Sequence, residues 1–216
     1  FNDLNRANRF TSACGLTIFR GECLGLDHVG NAFVCEPVHN LVHADRITDK
    51  GASFVASRVY DQQEFLASTD PWFRPVQFYT GPDGALYVID YYRQIVEHPE
   101  WMSEEVNRSG ALYNGTDQGR IYRITPKGTK PAEWMKTLQG KTFSAEQLVE
   151  MLSSENIWWR KLGQRLFNDR KDPNAVALLQ QFLDTTSSAE GTVHALWLMD
   201  EAGYSKPDQL MANNLG

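Results

Sequence analysis

The stretch Phe73–Tyr92, "FRPVQFYTGPDGALYVIDYY", decides how the first half of the chain is read. Two runs rich in β-branched and aromatic residues flank Gly81-Pro82-Asp83-Gly84. Proline presets φ and glycine accepts positive φ, so this tetrapeptide favours a tight turn. The stretch therefore predicts a β-hairpin, with Arg74–Thr80 paired to Ala85–Tyr92. Arg74 opens the first strand, and its position asks whether the guanidinium meets a ligand or only the fold.

Four similar runs lie upstream: Leu16–Arg20, Asn31–Glu36, Leu41–Ile47 and Ser53–Tyr60, separated by Gly, Asp, Asn or Pro. Such short, punctuated, β-rich runs predict antiparallel strands in meander order. One more, Arg120–Thr125, lies downstream. Four strands followed by three predict a mainly β region formed by the last two blades of a β-propeller. The final blade would lack one strand, supplied from elsewhere in the chain. A β-sandwich is the structural alternative. The insert from Gln94 to Gln118 carries charge, Trp101 and glycines, as functional loops often do.

Near residue 130 the period changes from two to that of a helix. Ser144 and Gln147 form a capping-box pattern ahead of Leu148, Val149, Met151 and Leu152. Trp158, Leu162 and Leu166 recur every four residues, the spacing of an apolar helical stripe. Asp172 and Pro173 mark a third helix start, and Gly203 supplies a C-cap for a fourth helix carrying Val193, Leu196 and Trp197. This β-then-α pattern predicts partial propeller blades over 1–130 and HEAT-like helical hairpins over 131–216, a partial repeat array.

At 216 residues with 42% hydrophobic content, the chain is large enough for a sizeable core. A net charge of −6 gives it no general attraction to nucleic acid or an anionic membrane. No apolar run approaches the roughly 20 residues needed to span a bilayer. The opening "FNDLNRANRF" has neither an initiator Met nor a signal peptide, so the chain reads as part of a longer protein. Cys14, Cys23 and Cys35 lack the spacing of a zinc or haem-attachment motif. In an exported protein Cys14 and Cys35 are expected to form a disulfide between neighbouring strands with Cys23 free, and three buried free thiols are the alternative. HExxH, EF-hand, nucleotide-binding glycine and GxSxG motifs are absent from the sequence.

The segments "FTSACGLTIFRGE", "GNAFVCEPVHNLVH", "QEFLASTDPWFRPV", "TGPDGALYVIDYYRQIVEHPEW" and "GRIYRI" resemble the membrane-bound dehydrogenase family found in large exported proteins of planctomycete type. That family is similar to glucose and sorbosone dehydrogenases: a quinoprotein propeller, then HEAT-like helices, then often a c-type cytochrome domain. The resemblance implies an exported, periplasmic or cell-surface location. It also implies pyrroloquinoline quinone as cofactor, a small sugar or alcohol substrate, and the rest of the propeller and a haem c domain outside this chain as partners.

The resemblance further implies that Arg74 faces the central channel and contacts the acidic quinone. A guanidinium fork suits this role because it holds a carboxylate at two points. Glu36, His39, Asn40 and Asp90 are further cofactor-binding candidates because they cluster with Arg74 at corresponding ends of neighbouring predicted blades, where strand ends surround one channel mouth, and His39 is the candidate substitute for a lysine of the relatives. Two positions depart from the family pattern: Trp72 stands where relatives carry another arginine, and Val38 stands near where a lysine falls. The residues also admit plainer roles. Arg74 could pair with Asp70 or Asp90 or stack on Trp72, Asn40 could serve the turn, and Glu36 could bond the turn at Pro37.

A second group, Asp90, Arg93, Glu97, His98 and Glu100, combines carboxylates with a histidine. It could orient a substrate hydroxyl or hold a metal, or it is a solvated loop with Arg93 and Glu97 paired at helical spacing. No metal site is expected, and no catalytic base is assigned. Two functions follow. One is an oxidoreductase that oxidises a sugar or alcohol through the quinone and passes electrons to haem. The alternative is a non-catalytic module that binds glycans or proteins; the departures at Trp72 and Val38 favour it, while the retained Arg74 and the family resemblance favour the oxidoreductase.

Overall fold

A computed structural model describes residues 10–130 and 132–203. The chain divides into two compact units, one spanning 1–81 and 85–129, the other 82–84 and 130–216.

The first unit holds two antiparallel sheets. Strands β1 (Cys14–Ile18), β2 (Ala32–Glu36), β3 (Leu41–Lys50) and β4 (Ser53–Arg58) run in meander order, and β5 (Leu66–Ala67) pairs with β3. The second sheet is β6 (Pro75–Thr80), β7 (Leu86–Asp90) and β8 (Arg120–Ile124). Alternation decides which side chains go inward. On β7, Leu86, Val88 and Asp90 are buried while Tyr87 and Ile89 are partly exposed. Phe19, Phe33, Cys35, Val42 and Ala44 from the first sheet share one core with Phe78, Leu86 and Val88 from the second. Phe33 sits at its centre, with ring centroids 4.8 Å from Phe65, 5.9 Å from Phe19 and 6.4 Å from Phe78.

This arrangement corrects the expected fold class. The two sheets are open, no closed barrel or propeller is formed among the described residues, and those residues are 35% helical and 23% strand rather than mainly β. Counting four strands and then three cannot separate two blades from two sheets that share a core, because strand spacing says nothing about which faces pack together. The expected HEAT-like hairpins belong to the same fold class and are corrected with it: capped apolar stripes establish helices, but not a repeat.

In the second unit, α2 (Ala145–Glu150), α3 (Ile157–Arg170), α4 (Ala175–Thr185) and α5 (Ala189–Glu201) have unequal lengths of 6, 14, 11 and 13 residues. The preceding short helix, α1 (Glu104–Ser109), belongs to the insert of the first unit. Local chemistry sets where the helices begin. Ser144 and Gln147 close the capping box, Asn156 accepts the Trp158 N–H, and Ser188 accepts the Gly191 N–H. At the third start Asp172 accepts the Asn174 N–H at 2.8 Å, and the helix begins at Ala175. Leu148, Leu152, Phe167, Leu179, Ala195 and Leu198 form the core.

Gly163 marks the closest approach of α3 to α2. A Cβ there would lie 2.7 Å from the Leu148 carbonyl oxygen and 2.9 Å from Met151 Cβ. Gly163→Ala must push these elements apart, and overpacking of this kind costs about 1–3 kcal/mol. Urea unfolding of the variant, followed by helical circular dichroism, is expected to show that loss. An unchanged midpoint would contradict the packing.

Candidate functional site

The candidate residues meet where β2, β3, β6 and β7 end. Glu36 closes β2, and His39 and Asn40 form the turn into β3. Arg74 precedes β6, and Asp90 closes β7. Asn40 adopts a left-handed backbone, φ 57°, which asparagine tolerates better than most residues. Its Nδ2 donates to the Phe73 carbonyl at 2.6 Å and the Pro71 carbonyl at 3.2 Å, fixing the approach to Arg74.

Arg74 binds the main chain. Its Nε donates to the Arg93 carbonyl at 2.9 Å, Nη1 to the Pro37 carbonyl at 2.7 Å and Nη2 to the Gln94 carbonyl at 2.7 Å. The guanidinium thereby ties the β2–β3 turn to the start of the insert. Burial pushes its pKa down, opposed by the charges of Asp90 and Asp70. The expected channel rested on the propeller, which is not formed among the described residues, and Nε, Nη1 and Nη2 each donate to a main-chain carbonyl.

Asp90 is 1% exposed. Its Oδ1 accepts the Arg74 N–H at 2.8 Å and the Tyr92 N–H at 2.9 Å, holding Tyr92 in its left-handed conformation. Oδ2 has no hydrogen-bond partner among the described residues, and Arg120 Nε lies 3.9 Å from it. Arg120 also covers the Tyr92 ring at 4.0 Å. Glu36 is fully buried. Oε2 accepts the Ser12 N–H at 3.1 Å, and Oε1 faces His39 Nδ1 at 3.3 Å. All five candidates thus join one network, directly or through Pro37 and Phe73.

This network does not fit an acidic quinone. The carboxylates of Glu36 and Asp90 are buried near Arg74, each of whose guanidinium nitrogens already donates to a carbonyl, and moving Arg74 to a ligand would strip three carbonyls of their donors. An additional anionic group there would meet two carboxylates with less compensating charge.

The second group comes apart in the structure. Arg93 does not pair with Glu97. Its Nη1 donates to the carbonyls of Tyr91, Tyr92 and Gly115, because residues 91–97 do not form a helix and the guanidinium braces the loop instead. His98 Nδ1 accepts the Glu100 N–H at 3.3 Å and both side chains are exposed. Among the described residues, no group of three or more His, Cys, Asp or Glu side chains could hold a metal ion.

The sequence reading missed one histidine site. His43 is 6% exposed, with Nδ1 2.6 Å from Glu64 Oε2 and Nε2 3.0 Å from Asp45 Oδ1, and Arg58 lies 2.6 Å beyond on Glu64. Alternation could not have flagged it: Val42 and Ala44 face the core, so His43 projects from the opposite face of β3, and its partner Glu64 lies on a loop with no pattern. Cys14 and Cys35 are directly opposed in the β1–β2 register, yet all three cysteines are thiols, so the expected disulfide is not formed in this structure. Burial raises the pKa of both the Cys14 and Cys35 thiols.

With this geometry in place, comparison with known proteins adds a family. A model described as a domain of unknown function, DUF7133, matches residues 1–128. The chain belongs to the DUF7133 family. No curated protein and no solved structure matches it. The DUF7133 match covers nearly all of the first unit, including the strand-end network, and its description carries no activity, cofactor or partner. No helix among the described residues is long and apolar enough to cross a membrane.

Proposed function

We propose that this DUF7133 chain is a non-catalytic module that binds glycans through the insert between β7 and β8. The observation that carries this reading is the exposure of aromatic rings on that insert: Tyr91, Trp101 and Tyr113 are 48%, 66% and 65% exposed. Flat aromatic faces beside polar groups suit sugar rings, which present C–H faces and hydroxyl edges. Arg93 stacks 4.2 Å over Tyr91, leaving Trp101 and Tyr113 as the open platforms.

The insert carrying them is braced. Asn114 Nδ2 donates to Gln94 Oε1 at 2.8 Å, and Asn107 Nδ2 donates to the Pro99 carbonyl at 2.9 Å. Ser103 caps α1. A rigid platform lowers the ordering cost of binding. The dehydrogenase reading, with electrons passing to a haem domain outside this chain, has less support because Arg74 serves the backbone.

Affinity electrophoresis in gels containing soluble β-glucan or xylan tests the proposal. Retardation of the wild-type chain, reduced by Trp101→Ala or Tyr113→Ala without loss of fold, is expected. In parallel, titration with pyrroloquinoline quinone is expected to give no saturable change in tryptophan fluorescence. Saturable quinone binding together with no retardation in any gel would overturn the glycan reading in favour of the redox one.

A further inference from the structure

We infer that Cys14 and Cys35 form a redox-sensitive staple that closes into a disulfide when the protein meets a disulfide oxidant such as glutathione disulfide. The two residues are register partners across the antiparallel pair β1–β2. Directly opposed residues in such a pair have Cα atoms about 4.5–5.5 Å apart, within the span that a disulfide bridges. Neither side chain must cross the sheet, because opposed residues project from the same face.

Their surroundings give the two thiols different roles. Cys35 has no exposed surface, whereas Cys14 is partly exposed. Cys14 is therefore the entry point. Its thiolate attacks one sulfur of glutathione disulfide, forming a mixed disulfide and releasing one glutathione thiolate. Cys35 then loses its proton and attacks Cys14 Sγ, releasing the second glutathione. Two protein thiols are oxidised by two electrons, and one glutathione disulfide is reduced to two glutathiones. Burial raises both thiols, and Glu36 raises Cys14 further, so closure is slow at neutral pH and accelerates in mild alkali.

The bridge would act where the fold needs restraint. Strand β1 ends the strand order of its sheet, with β2 as its pairing neighbour. It also runs close to β6: Gly15 has φ +61°, and a Cβ there would lie 2.5 Å from the Val76 carbonyl oxygen. Tying β1 to β2 fixes the strand that makes this approach.

The test incubates the folded chain with glutathione disulfide at mildly alkaline pH, quenches it with acid, alkylates the remaining thiols and maps the peptides by mass spectrometry. A Cys14–Cys35 linked peptide is expected, formed equally in Cys23→Ser. The oxidised chain should melt roughly 5 °C higher than the reduced chain. Cys35→Ser should stop at a glutathione adduct on Cys14. If that variant does not fold, Cys14→Ser should remain unlinked under the same treatment. A wild-type chain that ends with glutathione on Cys14 alone, with Cys23 in the bridge, or with no modification would overturn the inference.

Discussion

Replacing Phe33 by alanine is expected to cost the first unit about 4 kcal/mol, within the range for removing a fully buried phenylalanine. The size follows from position. Phe33 has no exposed surface and makes edge contacts with Phe19 and Phe65, while Phe78 brings the second sheet against it. Truncation removes the ring's transfer free energy and opens a cavity at the point where both sheets share their core, and neighbours held in a close-packed core can fill it only in part. Phe54→Ala on β4 is the matched control, because Phe54 is 67% exposed and its loss should stay within about 0.5 kcal/mol. Urea unfolding followed in the β region of the circular dichroism spectrum measures both. Equal costs for the two variants would show that the sheets do not share this core.

The individual elements were legible because their causes are local. β2, β4, β6, β7 and β8 lie within one or two residues of the runs that punctuation and alternation predicted, and the Ser144–Gln147 box marks the start of α2. Assembly was not legible. Whether seven strands make blades or paired sheets depends on long-range packing, which strand spacing does not encode. β5 is only two residues long and pairs with β3 across an irregular connection, so no periodic signal could reveal it.

The candidate site divides in the same way. The clustering of Glu36, His39, Asn40, Arg74 and Asp90 could be read from sequence because all five lie at predicted strand ends. The role of Arg74 could not. Its three acceptors are carbonyls of Pro37, Arg93 and Gln94, and every residue has a carbonyl, so no side-chain pattern distinguishes these.

That role defines the second large effect. Arg74→Ala is expected to destabilise the first unit by about 3–5 kcal/mol. Each hydrogen bond from a charged donor contributes about 1.5–3 kcal/mol, and the total falls below three times that because water reaches some of the freed acceptors. Asp90 would also lose a neighbouring positive charge while remaining buried, which adds to the cost. Arg74→Lys separates the contributions. It keeps the charge beside Asp90 but has one ammonium in place of a fork, so it can satisfy at most part of an acceptor set that diverges toward three carbonyls. It should therefore recover less than half of the loss. If Arg74 instead faced a ligand, the alanine variant would leave stability nearly unchanged in the absence of ligand, as removal of an unpaired cation next to solvent does. Thermal and urea unfolding of the three chains without any added ligand therefore decides between bracing and binding, and a loss under about 1 kcal/mol for Arg74→Ala would return the residue to the list of binding candidates.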